Sequence, residues 1–122
     1  MLNSHKDLIV WQKSIDLTVL IYKLTEKFPK EELYGLVMQM RRSAVSVASN
    51  IAEGRSRKTR KDFIQFLRIA YGSVAELETQ LIIAQKLEKT KDLNYSKVNE
   101  LLLEVSKMLN AMISKLDHKA ES

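Results

Sequence analysis

The chain of 122 residues contains no cysteine, one proline and only three glycines. Without cysteine it has no disulfide, no thiolate zinc site and no cysteine nucleophile, which is compatible with the cytosol. Proline and glycine interrupt helices most readily, so their scarcity favours long helices. With 45% apolar and 29% charged residues, the composition is typical of a soluble all-α protein, and the length fits a single domain spanning 1–122.

Long apolar runs are also lacking. No stretch approaches the roughly 20 apolar residues that a membrane-spanning helix needs. The opening residues MLNSHKDLIVWQKS mix charged and polar residues with apolar ones, unlike the apolar region of a signal peptide. We therefore expect a cytoplasmic protein with no membrane partner.

Signatures of catalysis and of cofactor binding are absent as well. The two histidines, His5 and His118, lie near opposite ends of the chain, and no histidine pair has metal-ligand spacing. There is no phosphate-binding glycine loop, no dinucleotide-binding glycine pattern and no nucleophile elbow. The sequence therefore predicts a non-enzymatic protein with no catalytic residues, no metal and no cofactor.

A few interruptions divide the chain into helices. Pro29 disfavours helical geometry at Phe28 and ends the first helix. Gly54 is predicted to end the second by adopting a left-handed C-cap conformation. Thr59 and Asp62 resemble a capping box that opens the third. The predicted helices span about 6–27, 31–53, 60–88 and 95–116.

Short connections between these long helices predict an up-and-down antiparallel four-helix bundle. The fourth helix has one apolar stripe, whereas the first has two on opposite sides. These are Leu8, Trp11, Ile15, Val19 and Tyr22 on one side, and Val10, Leu17, Leu20, Ile21 and Leu24 on the other. One bundle cannot bury both stripes, so we expect the chain to form a homo-oligomer.

The third helix also has apolar residues behind its core seam. Its seam comprises Phe63, Phe66, Leu67, Ala70, Val74, Leu77 and Leu81, and the residues behind it are Ile69, Gly72, Ala75 and Ile83. A second apolar face on a soluble helix is typical of a protein interface, although an unevenly covered core helix is the simpler explanation.

Positive charge is concentrated in one part of the chain. Residues 41–68 contain eight cations and two anions, a net charge of +6, whereas the remainder has twelve cations and thirteen anions, a net charge of −1. Five of the cations fall within residues 55–61, from the end of the second helix to the start of the third. We expect Arg55, Arg57, Lys58, Arg60 and Lys61 to bind the backbone of RNA or DNA, with Arg41, Arg42 and Arg68 as helpers.

The same charges have a simpler interpretation. Cations on short loops are commonly just solvated, and Arg55 and Arg57 complement the dipole at the end of the second helix. Lys58, Arg60 and Lys61 instead crowd the start of the third helix, where the dipole favours anions. No aromatic residue is interleaved with the basic ones, so contacts to the nucleic-acid backbone are favoured over base stacking.

Polar residues on the second and third helices predict a structural polar network. Its members are Asn50, Glu53, Glu76 and Glu78, partnered by Arg41 or Arg42, because buried polar groups normally pair. Small residues around Ser43 to Ala52 would allow a close approach of the helices. An alternative role for Glu78 is to line a small-molecule pocket.

The segment QMRRSAVSVASNIAEGRSRKTRKDFIQFLRIAYGSVAELETQL resembles the 23S rRNA-intervening-sequence proteins, a bacterial four-helix bundle family related to the accessory variability determinant of diversity-generating retroelements. The similarity extends to DLIVWQK at 7–13 and FPKEELYGL at 28–36, and covers about 6–87. Family members often have proline where this chain has Ala48, so a kink there is not expected here.

The resemblance implies a homopentameric ring with a basic surface and a nucleic-acid-associated accessory role, with a reverse transcriptase as one partner. It carries over no catalytic residues. It also implies that the shared Asn50, Glu53, Gly54, Gly72, Ser73, Glu76 and Glu78 are mostly architectural. The alternative function is a protein-interaction scaffold that uses the exposed apolar faces and has no direct nucleic-acid role.

Overall fold

The computed structural model describes the backbone of residues 4–121 and the side chains of residues 4–118. Four α-helices form the fold: α1 at Ile9–Thr25, α2 at Met38–Arg55, α3 at Arg60–Lys86 and α4 at Ser96–Glu121. Each helix packs against its neighbours in sequence, and contacts between α1 and α4 close the bundle. The predicted all-α, antiparallel four-helix bundle is confirmed.

The connection between α1 and α2 is more structured than the sequence indicated. Pro29 is extended and precedes a 3-10 turn at Lys30–Glu32, which leads into a π-helical turn at Leu33–Val37. Regular α2 therefore begins at Met38, seven residues after the predicted start. The chain before α1 likewise forms a 3-10 turn at His5–Asp7.

The core is made from one stripe of each helix. In α1 the stripe that contains Leu17 and Ile21 is buried except for Leu20, which is half-buried. Each large apolar side chain that is fully buried contributes about 1.5–3 kcal/mol. The opposite stripe is only partly covered: Leu8 is buried and Trp11 half-buried, whereas Ile15, Val19 and Tyr22 are exposed. The prediction that one bundle cannot bury both stripes is confirmed.

In α3 the predicted seam is buried from Leu67 to Leu81, while Phe63 and Phe66 are half-buried. Four further residues of α3 are buried that the sequence analysis left out of the seam: Ile64, Ser73, Gln80 and Ala84. The hydroxyls of Ser46 and Ser73 share a hydrogen bond of 2.8 Å, which joins α2 to α3.

Gly54 does not cap α2, which corrects the prediction. No described glycine has a positive φ, and α2 continues to Arg55. A Cβ at Gly54 would lie 2.7 Å from Phe66 Cβ and 3.1 Å from Phe63 Cδ1. Glycine is needed at this position because α2 and α3 approach each other too closely for a side chain.

Candidate nucleic-acid interface

The predicted site lies where the chain passes from α2 to α3, in residues 55–61, which we call the basic turn. The amide of Ser56 donates to the carbonyl of Ala52 at 3.2 Å, and the amide of Arg57 donates to that of Gly54 at 3.1 Å. These local bonds satisfy the last carbonyl groups of α2. Backbone hydrogen bonds therefore close the turn.

A side-chain cap opens α3 on the far side of the basic turn. Thr59 is extended, and its Oγ1 accepts a hydrogen bond from the amide of Asp62 at 3.1 Å. The predicted N-cap is confirmed. Arg60 and Lys61 are the first two residues of α3, so they add positive charge where the helix dipole is already positive.

Three cations of the basic turn have no partner among the residues that the structure describes. Lys58, Arg60 and Lys61 are exposed, and no hydrogen bond or ion pair within the part of the chain that the structure describes engages their side chains. Charges that are neither paired nor buried keep their full attraction for a soluble anion, screened only by salt.

The other two cations of the turn are held against the bundle. Arg57 lies 3.1 Å from a carboxylate oxygen of Glu53, and its guanidinium carbon is 4.7 Å from the centroid of the Phe66 ring. Arg55 is half-buried. No aromatic residue occurs in the sequence between Arg55 and Lys61, and this ring comes instead from the second turn of α3.

A shallow depression of about 200 Å³ opens at the basic turn. Its lining combines cations and a threonine hydroxyl with apolar groups, and it includes a residue from the far end of α4. The lining residues are Gly54, Arg55, Arg57, Lys58, Thr59, Arg60, Phe63 and Leu116. This set offers positive charge and hydrogen-bond donors, which suit a phosphate group.

The three predicted helpers lie in different surroundings. Arg68 forms an ion pair with Asp117 at 2.7 Å, about 12 Å along α3 from Arg60. Asp117 belongs to the last part of α4, which the sequence analysis ended at 116. The absence of glycine and proline from 117–122 is the signal from which the longer helix could have been predicted.

Arg41 and Arg42 lie near the start of α2, about 21 Å along the helix from the basic turn. Arg41 donates to Thr25 Oγ1 at 2.9 Å, and its guanidinium carbon is 4.5 Å from the centroid of the Tyr22 ring. It therefore joins α2 to α1. Arg42 is exposed.

The predicted polar network is wrong for the single chain. Asn50 donates to the carbonyl and hydroxyl oxygens of Ser46, at 2.8 and 3.0 Å, and Glu53 pairs with Arg57 rather than with α3. Glu76 and Glu78 are exposed, and neither has a hydrogen bond or ion pair within the described residues. The predicted pairing does not form because α3 presents these carboxylates to solvent.

Glu78 lies at the rim of a groove of about 320 Å³ between α3 and α4. The walls of the groove include two exposed apolar residues, Ile82 and Leu103. Gln85 and Asn99 cross it, with Asn99 Nδ2 donating to Gln85 Oε1 at 3.1 Å. Glu78 therefore lines this groove with no ion pair to any residue that the structure describes.

The outward apolar faces predicted for α1 and α3 are exposed in the part of the chain that the structure describes. The face of α1 contains Ile15, Val19 and Tyr22, which we call the α1 face. The face of α3 contains Ile69, Gly72, Ala75 and Ile83, which we call the α3 face. The exposure predicted for the α3 face is confirmed.

Glu31 and Lys89, whose pKa values are shifted, join two connections at the other end of the bundle from the basic turn. Glu31 lies between α1 and α2, and Lys89 lies between α3 and α4. Lys89 Nζ donates to Glu31 Oε2 at 2.6 Å. This hydrogen bond lowers the pKa of the Glu31 carboxyl and raises the pKa of the Lys89 ammonium group. The pair therefore favours the charged form of each partner.

Within the described residues, no group of three or more histidine, aspartate or glutamate side chains is placed to hold a metal ion. None of the helices in that part of the chain combines the length and the apolar character needed to cross a membrane.

Comparisons with known proteins agree with the fold. The family model described as 23S rRNA-intervening sequence protein matches residues 6–111. A crystal structure of a protein of unknown function from the S23 ribosomal protein family of Bacteroides thetaiotaomicron is similar, with a TM-score of 0.75 and 29% sequence identity. The similarity covers 86% of this chain and 98% of that one. No curated protein sequence matches the chain significantly.

Proposed function

Because the chain belongs to the 23S rRNA-intervening sequence protein family, we propose that it is a non-enzymatic, oligomeric accessory protein that binds nucleic acid. In this proposal the basic turn binds the phosphate backbone of RNA or DNA. The observation that carries the proposal is the set of three exposed cations, Lys58, Arg60 and Lys61, that have no partner within the described residues.

The position of these cations supports binding of an anion over simple solvation. Cations that follow a helix stabilise it, and Arg55 at the end of α2 has that effect. Arg60 and Lys61 instead occupy the first turn of α3, where positive charge opposes the helix dipole. A phosphate bound there offsets this repulsion and also accepts hydrogen bonds from the first amides of α3.

The geometry of the turn favours recognition of the backbone over reading of bases. Arg57 rests on the Phe66 ring, and both Phe63 and Phe66 are half-buried. Neither ring is free to serve as a stacking platform for an unpaired base. Contacts to phosphate carry little sequence information, so the proposed binding depends on charge and shape.

We also propose that the chain assembles into a ring, with the homopentamer that the resemblance implies as the expected form. The α1 face and the α3 face differ in residues, so contact between the α1 face of one copy and the α3 face of the next is heterologous, as ring closure requires. A ring repeats the basic turn in every subunit, so weak phosphate contacts add by avidity.

The proposal is tested by neutralising the three free cations together. In the variant K58Q/R60Q/K61Q, the cap Thr59 and the anchored Arg57 are retained, so the fold is expected to persist. We expect its affinity for an RNA hairpin and for a DNA duplex to fall at least tenfold, measured by fluorescence anisotropy after nuclease treatment of the protein.

A matched control removes the same charge elsewhere. Lys30, Lys86 and Lys107 are exposed and lack ion pairs within the described residues, so K30Q/K86Q/K107Q has the same net charge as the basic-turn variant. The control should bind at least threefold more tightly than the basic-turn variant. Equal losses in the two variants would assign the binding to net charge and reject the basic turn as the site.

A second candidate function is a protein-interaction scaffold, favoured by the two uncovered apolar faces. It predicts that a specific protein co-purifies with the chain and stays bound after nuclease treatment. It also predicts that V19E, on the α1 face, releases that protein. Loss of every co-purifying protein on nuclease treatment would reject this candidate.

A further inference from the structure

A second cationic cleft lies at the opposite end of the bundle from the basic turn. It has a volume of about 220 Å³ and lies between the C-terminal half of α1 and the start of α4. Along α4 it is about 28 Å from Leu116, which lines the depression at the basic turn. Its lining residues are Leu20, Lys23, Leu24, Lys27, Asn94, Lys97 and Val98.

Three lysines surround an apolar floor in this cleft. Lys23, Lys27 and Lys97 are all exposed, and no carboxylate of the described residues lies within 4.0 Å of their ammonium groups. By contrast, Lys13 of α1 pairs with Glu104 of α4 at 2.7 Å along the same pair of helices. The cleft itself has no acidic residue in its lining.

Asn94 adds a neutral donor. Its Oδ1 accepts hydrogen bonds from the amide and the hydroxyl of Ser96, at 3.0 and 2.8 Å. These bonds fix the orientation of the side-chain amide, and within the described residues its Nδ2 donates to no group. The floor of the cleft is apolar, because Leu24 and Val98 are buried and Leu20 is half-buried.

The helix dipoles of α1 and α4 favour only some of the three lysines at their positions. Lys23 lies in the last turn of α1 and complements the negative end of its dipole. Lys97 is the second residue of α4, whose first turn contains no acid, so it lies at the positive end of a dipole. A cation is unfavourable there unless an anion offsets it.

We propose that this cleft binds a small phosphorylated compound that also has an apolar or aromatic part, of the nucleotide class. The ammonium groups of Lys23, Lys27 and Lys97 bind the phosphates, since lysine is a compact cation with three donors. Leu20, Leu24 and Val98 contact the apolar part. The site is separate from the proposed nucleic-acid interface and does not depend on it.

The test is calorimetric titration of the purified protein at fixed ionic strength with adenosine triphosphate, tripolyphosphate and adenosine. We expect saturable binding of adenosine triphosphate, weaker binding of tripolyphosphate and no detectable binding of adenosine. Equal affinity for adenosine triphosphate and tripolyphosphate would overturn the nucleotide class, because the floor would then contribute nothing. Absence of saturable binding of both phosphate compounds would overturn the site.

Variants locate the binding. K23Q/K97Q is expected to lose about tenfold in affinity for adenosine triphosphate, about threefold for each exposed charge contact. The control K86Q/K107Q removes the same charge outside the cleft and should bind like the wild type. A loss in K58Q/R60Q/K61Q with none in K23Q/K97Q would place the ligand at the basic turn and overturn the proposal.

Discussion

Gly54 and Gly72 both lie inside helices, yet their surroundings differ. A Cβ at Gly54 would lie 2.7 Å from Phe66 Cβ, whereas at Gly72 the described residues place no heavy atom within 4 Å of the Cβ position, apart from the adjoining backbone of α3 itself. The first glycine is therefore required by the contact between α2 and α3. Within the single chain, the second only weakens α3, by about 0.5–1 kcal/mol relative to alanine.

We predict that G54A lowers the free energy of unfolding. Overpacking at a contact as short as 2.7 Å is expected to cost about 2–3 kcal/mol, the upper part of the usual range. The gain in helix propensity returns about 1 kcal/mol, so a net loss of about 1–2 kcal/mol is expected. Denaturant unfolding followed by circular dichroism measures it. G72A serves as the control, with a gain of about 0.5–1 kcal/mol. Unchanged stability in G54A would contradict the close approach of the helices.

The buried phenol of Tyr95 leads us to predict that the free energy of unfolding falls at alkaline pH. Burial raises the pKa of its phenol above the ordinary value of 10.0, and its hydroxyl donates to the carbonyl of Thr90 at 2.8 Å. Since the unfolded chain releases this proton first as pH rises, the contribution to stability is complete below pH 10.0 and is lost as pH rises through the folded-state pKa.

The variant Y95F isolates this contribution. At neutral pH it should be about 0.5–1.5 kcal/mol less stable than the wild type, because the hydrogen bond to Thr90 is lost. Above pH 10 the difference in unfolding free energy between the two proteins should shrink, since only the wild type has this phenol to titrate. A difference that stays constant from pH 7 to pH 11 would contradict the role assigned to burial.

At the scale of elements, the sequence was sufficient where a local pattern determines the outcome. The all-α class, the Thr59 cap and the burial of no more than one stripe of α1 follow from propensity, capping and apolar spacing. The exposed α3 face follows from the same spacing. These features need no knowledge of how the helices pack.

Features that depend on packing between elements were not predictable in the same way. Gly54 has the sequence signature of a C-cap, but its role is set by Phe63 and Phe66 of another helix. The 3-10 and π-helical turns before Met38 have no distinct signal in the sequence. Glu76 and Glu78 were expected to have partners, but α3 presents them to solvent. Helical spacing alone does not show which side of a helix is exposed.

The candidate site was predictable to a similar degree. The concentration of charge in the basic turn can be read from the sequence, and so can its position between two helices. The sequence does not show which of these cations are unpaired. Arg57 is held by Glu53 and Phe66, and Arg68 is held by Asp117 of another helix. The set available to a ligand is narrower than the set predicted.

The outward faces give a prediction about assembly. Val19 is 47% exposed at the centre of the α1 face, so a carboxylate there would have to be desolvated in a subunit contact. We expect V19E to shift the sedimentation coefficient to that of a monomer without loss of helix content. S114E, which adds the same charge on exposed α4, should keep the wild-type assembly. An identical sedimentation coefficient for V19E and the wild type would exclude the α1 face from the interface.

At the scale of the whole molecule, two cationic regions lie at opposite ends of one bundle. The basic turn lies in the segment 41–68, which has a net charge of +6 in a chain of +5 overall. The cleft formed by Lys23, Lys27 and Lys97 lies outside that segment, in the remainder of the chain, whose net charge is −1. The concentration of positive charge in one segment therefore identifies the basic turn from the sequence. The cleft cannot be identified in this way, because it depends on how α1 and α4 bring distant lysines together.

The central claim is that the basic turn contacts phosphates, and the most direct test is the salt dependence of binding to a DNA duplex. Each phosphate contact contributes about 0.9 to the slope of log affinity against log salt. We predict a slope shallower by about 2–3 in K58Q/R60Q/K61Q than in the wild type, and a slope close to that of the wild type in K30Q/K86Q/K107Q. Identical slopes in the wild type and the basic-turn variant would contradict the claim.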